Sequence, residues 1–236
     1  MTQFIQVVRA NRDRRSRIGG TAISAILGKN PWQTREATMA YYLGGPGPVP
    51  NRYMEWGLRG EAAVANAYAD KNDLKLVDLV KEEEEDLLPG QIVRHPEIDF
   101  LAGSPDRLVL KPGLDRYRAE SKNGDEKMRI ISGISHGLEI KTASAWSKKK
   151  WDMGIPEHYV MQCQFYLMIT GLPRWDIAVL IGGNDYRDFA HSSDGNKTVK
   201  GEYSNYVIEP DLFLHAQMVE EATKFWEEVK NERERT

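Results

Sequence analysis

Three side chains in two short segments could together bind a divalent cation and hydrolyse a phosphodiester. Asp106 follows the sequence Gly-Ser-Pro, and Glu139 and Lys141 alternate with Leu138 and Ile140. Such alternation predicts a strand with one buried face. If the two segments are neighbouring strands, both carboxylates converge with the lysine beside them. Oxygen ligands of this kind suit Mg²⁺ or Mn²⁺, and the lysine is placed to hold or polarise the attacking water.

These three residues do not by themselves decide between a metal site and an ordinary strand. An Asp and a Glu-x-Lys recur by chance in any charged protein. A half-buried strand with a glutamate and a lysine on its surface explains them equally well. Additional segments of the chain are needed to separate the two interpretations.

Further segments occur in the order found in one nuclease family. Together with Asp106 and Glu139-Ile140-Lys141, they resemble the lambda exonuclease and YqaJ-like viral recombinase family of the PD-(D/E)xK nuclease superfamily. The resemblance covers roughly residues 15 to 181, although Asp106 and Glu139 are further apart than in lambda exonuclease. The segments are Arg17-Ile18-Gly19-Gly20-Thr21-Ala22-Ile23-Ser24, Trp56-Gly57-Leu58-Arg59-Gly60-Glu61, Ser104-Pro105-Asp106 and Tyr159-Val160-Met161-Gln162-Cys163-Gln164-Phe165.

The resemblance implies a metal centre built from residues of three segments. Asp106, Glu139, the backbone carbonyl of Ile140 and Glu61 would bind Mg²⁺ or Mn²⁺, with two ions in each active site. Two such ions would stabilise the attacking and leaving oxygens of an in-line displacement. Lys141 would orient and help deprotonate the nucleophilic water. A solvated helix glutamate is the alternative for Glu61.

The resemblance also implies residues that contact DNA. Gln162 would contact the attacking water or the scissile phosphate, and Tyr159 lies one helical turn before it, on the same face. Arg17, Ser24 and Ser104 match a site for a terminal 5′-phosphate, and an arginine, hydroxyls and backbone N–H groups form a good anion site. Polar positions on an amphipathic helix, and a non-specific backbone contact for Arg17, are the alternatives.

A run of lysines lies between two tryptophans further along the chain. Lys148, Lys149 and Lys150 are flanked by Trp146 and Trp151. The lysines could contact phosphates while a tryptophan stacks on a base. A charge run of this kind is more often a solvated helix face, which is the favoured interpretation here.

Composition excludes several classes of protein. Of 236 residues, 41% are hydrophobic and 28% are charged, as in a globular protein that can bury a substantial core. Apolar stretches are too short to span a bilayer. The single cysteine, Cys163, excludes a disulfide framework and a four-cysteine metal cluster within this chain, and it favours a reducing cytoplasm.

Charge is distributed unevenly, although the net charge is only −3. Five arginines lie within residues 9–17, whereas residues 82–86 are all acidic. A basic DNA path can coexist with an acidic outer face, so the net charge does not exclude a nucleic-acid partner.

Periodicity predicts an α/β fold: a single domain over residues 1–236 with a central mixed β-sheet flanked by helices. The family resemblance implies that this sheet and its helices form a restriction-endonuclease-like core. Helices are predicted over 21–28 (capped by Thr21), 34–43, 53–72, 145–152, 156–170 and 210–228. Strands are predicted over 74–80, 91–94, 100–102, 107–110, 137–142, 175–182, 186–190 and 203–208. The polar stretch 111–136 is predicted to be a protruding loop or hairpin insertion, with 128–131 as its returning strand.

The expected function is a metal-dependent 5′–3′ exonuclease that degrades one strand of linear double-stranded DNA to mononucleotides. By resemblance, it would leave 3′ single-stranded tails for a single-strand annealing protein in phage or prophage recombination, inside a bacterial host. A ring of three subunits is expected from the same source. A structure-specific or restriction-like endonuclease and a catalytically silent DNA-binding relative remain as alternatives.

Overall fold

The computed structural model describes residues 4–10, 13–80, 90–122, 125–182 and 202–235, with the backbone alone for 125–127. The predicted strand 186–190 and the acidic run 82–86 lie outside these residues. The described α-helices are α1 (Gly20–Ile26), α2 (Arg35–Tyr42), α3 (Arg52–Asn72), α4 (Lys148–Asp152), α5 (Glu157–Thr170) and α6 (Leu212–Arg235). None of these helices is long and apolar enough to cross a membrane.

Ten strands in the described residues form two five-stranded sheets. They are β1 (Ile5–Arg9), β2 (Leu76–Val77), β3 (Gln91–Arg94), β4 (Ala102–Gly103), β5 (Arg107–Leu110), β6 (Arg118–Lys122), β7 (Asp125–Ser132), β8 (Ile134–Ala143), β9 (Trp175–Ile181) and β10 (Glu202–Ile208). The central sheet has the order β10-β9-β8-β5-β2 and is mixed, because β8 and β9 are parallel and the other pairs are antiparallel. The expected α/β class with a mixed sheet is confirmed.

The second sheet was not predicted. This flanking sheet, β4-β3-β1-β7-β6, is antiparallel throughout. The hairpin β6–β7 lies within residues 111–136 and contains the predicted returning strand, but β7 pairs with β1 from Ile5 to Val8. The stretch therefore joins a sheet and does not protrude. The strand β1 escaped prediction because it is short and directly precedes the arginine-rich segment.

The ends of some helices follow local capping chemistry. Asn51 accepts hydrogen bonds from the backbone N–H groups of Tyr53 and Met54 at 3.0 and 3.1 Å and starts α3. Gly171, with φ 64°, ends α5 in the left-handed conformation that favours glycine. The predicted cap of α1 was wrong: Gly19 occupies the cap position and Thr21 lies inside the helix.

Two layers of helices cover the central sheet. On one face, Val64 and Tyr68 of α3 pack against Leu138 and Ile140 of β8. On the other face lies α5, which is apolar on nearly all sides and is buried among the sheets, α1 and α6. The main core between these elements includes Ile5, Ile23, Leu101, Phe165, Trp175 and Phe225.

Helix α6 is fastened to α5 by a buried glutamine. Gln164 donates to the carbonyl oxygen of Glu209 at 2.8 Å, accepts from the backbone N–H of Asp211 at 3.0 Å and pairs with His215 Nε2 at 2.8 Å. Because its polar groups are satisfied in this way, Gln164 has a structural role. Helix α6 also runs to Arg235, beyond its predicted end at residue 228.

Candidate active site

The antiparallel pair β5–β8 brings Asp106 and Glu139 together. Arg107 pairs with Leu138, so the same register places Asp106, one residue earlier, across from Glu139. One oxygen of Asp106, Oδ2, accepts a hydrogen bond from the backbone N–H of Ile140 at 2.7 Å. Residues directly opposed in an antiparallel pair point to the same face. Both carboxylates therefore lie on the face of the central sheet that α5 covers.

Lys141 lies beside the two carboxylates and belongs to the same strand as Glu139, β8. It lies two residues after Glu139, on the same face, and its Nζ is ion-paired with Glu139 Oε1. The Glu139 side chain is fully buried, with 0% exposure. Its second oxygen, Oε2, is buried and has no hydrogen-bond partner among the described residues. Such an orphaned carboxyl oxygen is unusual in a folded protein.

The two carboxylates compete for the single ammonium. Burial, and then the neighbouring charge of Asp106, raises the pKa of Glu139 to about 8. Burial also raises the pKa of Asp106, although Lys141 and the Ile140 N–H group oppose the shift. Burial by itself would lower the pKa of Lys141, but the Glu139 and Asp106 carboxylates together raise it above its ordinary value. Lys141 is therefore an ammonium at neutral pH.

Glu61 is near this centre but is held by an arginine that sequence reasoning did not single out. Arg107 Nη1 donates to Glu61 Oε1 at 2.8 Å and lies 3.1 Å from Asp78 Oδ2. Since Arg107 alternates with Asp106 along the strand, this ion-paired group lies on the opposite face of the sheet, below α3. The charge of Glu61 still acts on Asp106 and Glu139. Within the described ranges, no three His, Cys, Asp or Glu side chains are grouped as a metal site.

Helix α5 contributes the polar residues expected from the sequence. The ring of Tyr159 lies 4.9 Å from Lys141 Nζ, in a cation–π contact. Gln162, one turn later, lies against the start of α1, where a β-carbon on Gly20 would be only 2.9 Å from its Cγ. Glycine at position 20 therefore allows α1 to approach this helix closely.

Tyr166 links helix α5 to the segment of Ser104 and Asp106. The sequence analysis did not identify it. Its hydroxyl donates to the carbonyl oxygen of Ser104 at 2.6 Å, and burial, then Glu139 and Asp106, raises its pKa. A β-carbon on Gly103 would lie 3.0 Å from its ring. The spacing of Tyr159, Gln162 and Tyr166 at i, i+3 and i+7 is the signal that could have revealed it.

Of the three residues expected to bind a terminal phosphate, Arg17 and Ser104 lie in one region and the Ser24 hydroxyl is directed elsewhere. Arg17 is half-buried and interacts electrostatically with Tyr166, whose hydroxyl contacts Ser104. Burial, and then the charge of Arg14, lowers the pKa of Arg17. The hydroxyl of Ser24 is directed inward: it donates to the Thr21 carbonyl at 2.9 Å and accepts from Asn30 Nδ2 at 3.1 Å.

The two tryptophans that flank the lysine run have different environments. Trp151 is 3% exposed and stacks between Tyr159 and Tyr206, at 5.6 and 5.7 Å. Its burial excludes direct stacking on a base. Trp146, in contrast, is 88% exposed. Lys148 is paired with Asp152 and Glu202 at 2.6 and 3.1 Å, as expected for a solvated helix face.

Comparisons with known proteins place these residues in context. Residues 11–173 match the model of the YqaJ-like viral recombinase domain. The chain is also 32% identical, over 185 residues, to the uncharacterized protein YqaJ of Bacillus subtilis (strain 168). That match covers 74% of this chain and 46% of the relative, so the chain spans less than half the length of that protein.

Solved structures with the same fold include two exonucleases. An alkaline exonuclease (LHK-Exo) from Laribacter hongkongensis has a TM-score of 0.63 at 20% identity, covering 94% of this chain and 91% of that one. A phage-related exonuclease from Haemophilus somnus 129PT has a TM-score of 0.56 at 14% identity, covering 92% and 96%. At these identities the likeness shows a common fold.

The Arg107 group generates a prediction about stability. Replacing Arg107 with Ala leaves two largely buried carboxylates, Glu61 and Asp78, without this cation, so we expect a loss of about 3 kcal/mol in the free energy of unfolding. Urea denaturation measures it. Arg35→Ala is the matched control, because the Arg35–Glu228 pair at 2.8 Å is partly exposed and should contribute at most about 1 kcal/mol. Equal losses in the two variants would contradict the assignment.

Proposed function

The chain belongs to the YqaJ-like viral recombinase family, and on this premise we propose that it is a divalent-metal-dependent 5′–3′ exonuclease. It degrades one strand of linear double-stranded DNA to mononucleotides and leaves 3′ single-stranded tails. The family and the exonuclease fold support the coarser assignment, a nuclease. The finer assignment rests on the chemistry of the site.

The observation that carries the proposal is the buried group of Asp106, Glu139 and Lys141. Two carboxylates share one ammonium, and Glu139 Oε2 has no hydrogen-bond partner among the described residues. A divalent cation fits this donor set, because it would pair the orphaned oxygen and offset the burial and the Asp106 charge that raise the pKa of Glu139. Asp106 and Glu139 would hold it, with the Ile140 carbonyl and Glu61 as further candidates from the family resemblance.

When bound, a divalent cation supplies Lewis-acid stabilisation of the charge that develops on the phosphate oxygens. As an ammonium, Lys141 donates hydrogen bonds, so it would orient the attacking water and stabilise negative charge on the phosphate. The help in deprotonating that water, which the family resemblance implies, would need the lower pKa that a bound cation gives this lysine. Tyr159 packs on the lysine and restricts its position. Gln162 extends the polar surface towards α1, where the scissile phosphate would lie.

Dependence on a DNA end is proposed from the neighbouring arginine. Arg17, with Ser104 nearby, offers a guanidinium and a hydroxyl to a terminal 5′-phosphate. The inward hydroxyl of Ser24 supports a different role for that residue: it stabilises the turn between α1 and Asn30. A 5′-phosphate bound at Arg17 would place the first phosphodiester towards the buried carboxylates.

The biological setting follows from the resemblance and belongs to the same proposal. The enzyme works in the cytoplasm of a bacterial host, in recombination of phage or prophage type, with a single-strand annealing protein. Three copies surround the DNA. The match covers only 46% of the curated relative. The partners and the setting of the whole protein are therefore proposals for this chain.

Digestion of linear duplex DNA with Mg²⁺ tests the proposal, using 5′-phosphorylated and 5′-hydroxyl ends. We expect mononucleotides from the 5′-phosphorylated strand and a loss of about tenfold or more in rate with 5′-hydroxyl ends, as for an interaction of about 1.4 kcal/mol or more. Covalently closed circles should stay intact. Cleavage of circles would indicate an endonuclease, and equal rates with the two kinds of 5′ end would contradict recognition of the terminal phosphate.

Lys141→Ala should abolish turnover while DNA binding largely persists. The loss of an ammonium that acts on the reacting groups should reduce the rate by about 10³-fold. Nucleotide release measures the rate, and fluorescence anisotropy measures binding. Lys224→Ala, which removes an exposed lysine paired with Glu220 and Glu221, serves as the control. Near-normal hydrolysis by Lys141→Ala would contradict the assigned role.

Mn²⁺ affinity should increase with pH up to about 8. Below the raised pKa of Glu139, about 8, this carboxyl holds a proton that the cation must displace. We therefore expect the apparent affinity to rise by up to about tenfold per pH unit between about 6 and 8, with one proton released, and then to level off. Calorimetric titration in buffers of different ionisation enthalpy measures both quantities. Glu139→Gln should bind weakly with no such slope; a flat profile for the unaltered protein rules out this coupling.

A further inference from the structure

Trp32 is an exposed tryptophan beside the candidate active site, and the proposed mechanism does not use it. The Trp32 side chain is 73% exposed. A tryptophan side chain stabilises a fold chiefly when its large ring is buried. The position of Trp32 is nevertheless fixed. The backbone N–H of Trp32 donates to Asn30 Oδ1 at 2.9 Å, and the ring packs edge-on against His158, with 4.6 Å between ring centroids and an angle of 81°. The ring is thus ordered and open to solvent.

A chain of ring contacts links this tryptophan to Lys141. The His158 ring lies 3.9 Å from that of Tyr159, and the Tyr159 ring lies 4.9 Å from Lys141 Nζ. These short steps keep the Trp32 ring within a few nucleotides of the lysine, since successive nucleotides of a duplex strand rise by about 3.4 Å.

The electrostatic surroundings of His158 suit an anionic backbone. Burial, and then the positive charges of Lys141 and Lys150, lowers the pKa of His158 to about 4. His158 is therefore neutral at pH 7 and does not titrate there. The ammonium of Lys141 is neutralised by Glu139 and Asp106, whereas the exposed Lys150 remains available to attract phosphates.

We propose that the ring of Trp32 is a stacking platform for a nucleobase of the DNA substrate, within the first few nucleotides from the scissile phosphate. His158 holds the ring in place. The platform positions the strand and does not read its sequence, because every base presents a π-face. This inference rests on the proposed nuclease function, since it takes DNA as the ligand.

Trp146 offers a direct comparison on the same protein. It is more exposed, at 88%, and it makes no ring contact among the described residues. A free side chain loses rotamer entropy when it stacks on a base, whereas the ring of Trp32 is already ordered. We therefore expect Trp32, and not Trp146, to stabilise bound DNA.

Anisotropy titration of a labelled duplex with a short single-stranded end, in EDTA so that no hydrolysis occurs, tests the platform. Trp32→Ala should weaken binding by about tenfold, within the range for loss of one stacked base. Trp32→Phe should retain most of the affinity because it keeps a π-face, and Trp146→Ala should stay within about twofold of the unaltered protein. Thermal unfolding of Trp32→Ala should match the unaltered protein, because the ring is mostly in solvent.

An abasic scan identifies the base that stacks. One abasic site is placed in turn at each of the first four nucleotides of either strand end. At one position, the unaltered protein should lose as much affinity as Trp32→Ala does, and Trp32→Ala should lose no more there. This non-additivity is the signature of a direct contact.

Equal losses for Trp32→Ala and Trp146→Ala, or additive losses at every abasic position, would overturn the platform. If the platform fails this test but the protein hydrolyses DNA normally with a metal ion, the proposed nuclease function is still supported. Failure of the unaltered protein to bind DNA and to release nucleotides would overturn both.

Discussion

The ion pair between Lys141 and Glu139, with Asp106 across the β5–β8 ladder, is the constraint on which the centre of this molecule depends. Removing charges from water is costly, and it is offset only when each charge finds a partner. Here one ammonium serves two carboxylates, and one oxygen of Glu139 is buried without a hydrogen bond among the described residues. Under the proposed function, a bound divalent cation would complete this balance of charges beneath α5. The covering helix also keeps this group away from bulk solvent, which strengthens every electrostatic interaction within it.

Close packing of helices around that centre depends on small residues in the motif segments. Gly20 leaves room for Gln162, and Gly103 leaves room for the ring of Tyr166. On the opposite face, a β-carbon on Gly60 would lie 2.9 Å from Thr142, so this glycine lets α3 lie directly on β8. The glycines in the recognised segments therefore act through shape: they set how near the helices come to the strands that carry the charged groups.

The long helices could be predicted from the sequence because their signals are local. Asn51 marks the start of α3 and Gly171 the end of α5; apolar periodicity marks the buried face of α3, and a nearly continuous apolar run marks α5. The short strands could not be predicted with the same success. β1 has five residues, and its place in the flanking sheet is decided by pairing with β3 and β7, which lie far along the chain. The predicted strand over 74–80 is reduced to Leu76–Val77 because only those residues meet β5.

The sequence by itself determined the chemical groups and their local order. Glu139 and Lys141 share a face because side chains alternate along a strand, and Tyr159 and Gln162 share a face because a helix turns every 3.6 residues. Only the tertiary structure decided which distant groups meet: Arg107 pairs with Glu61, the Ser24 hydroxyl turns inward, and Trp32 stands over His158 near Lys141. The reason is physical, since periodicity fixes directions within one element, whereas contacts between elements depend on the packing of the whole core.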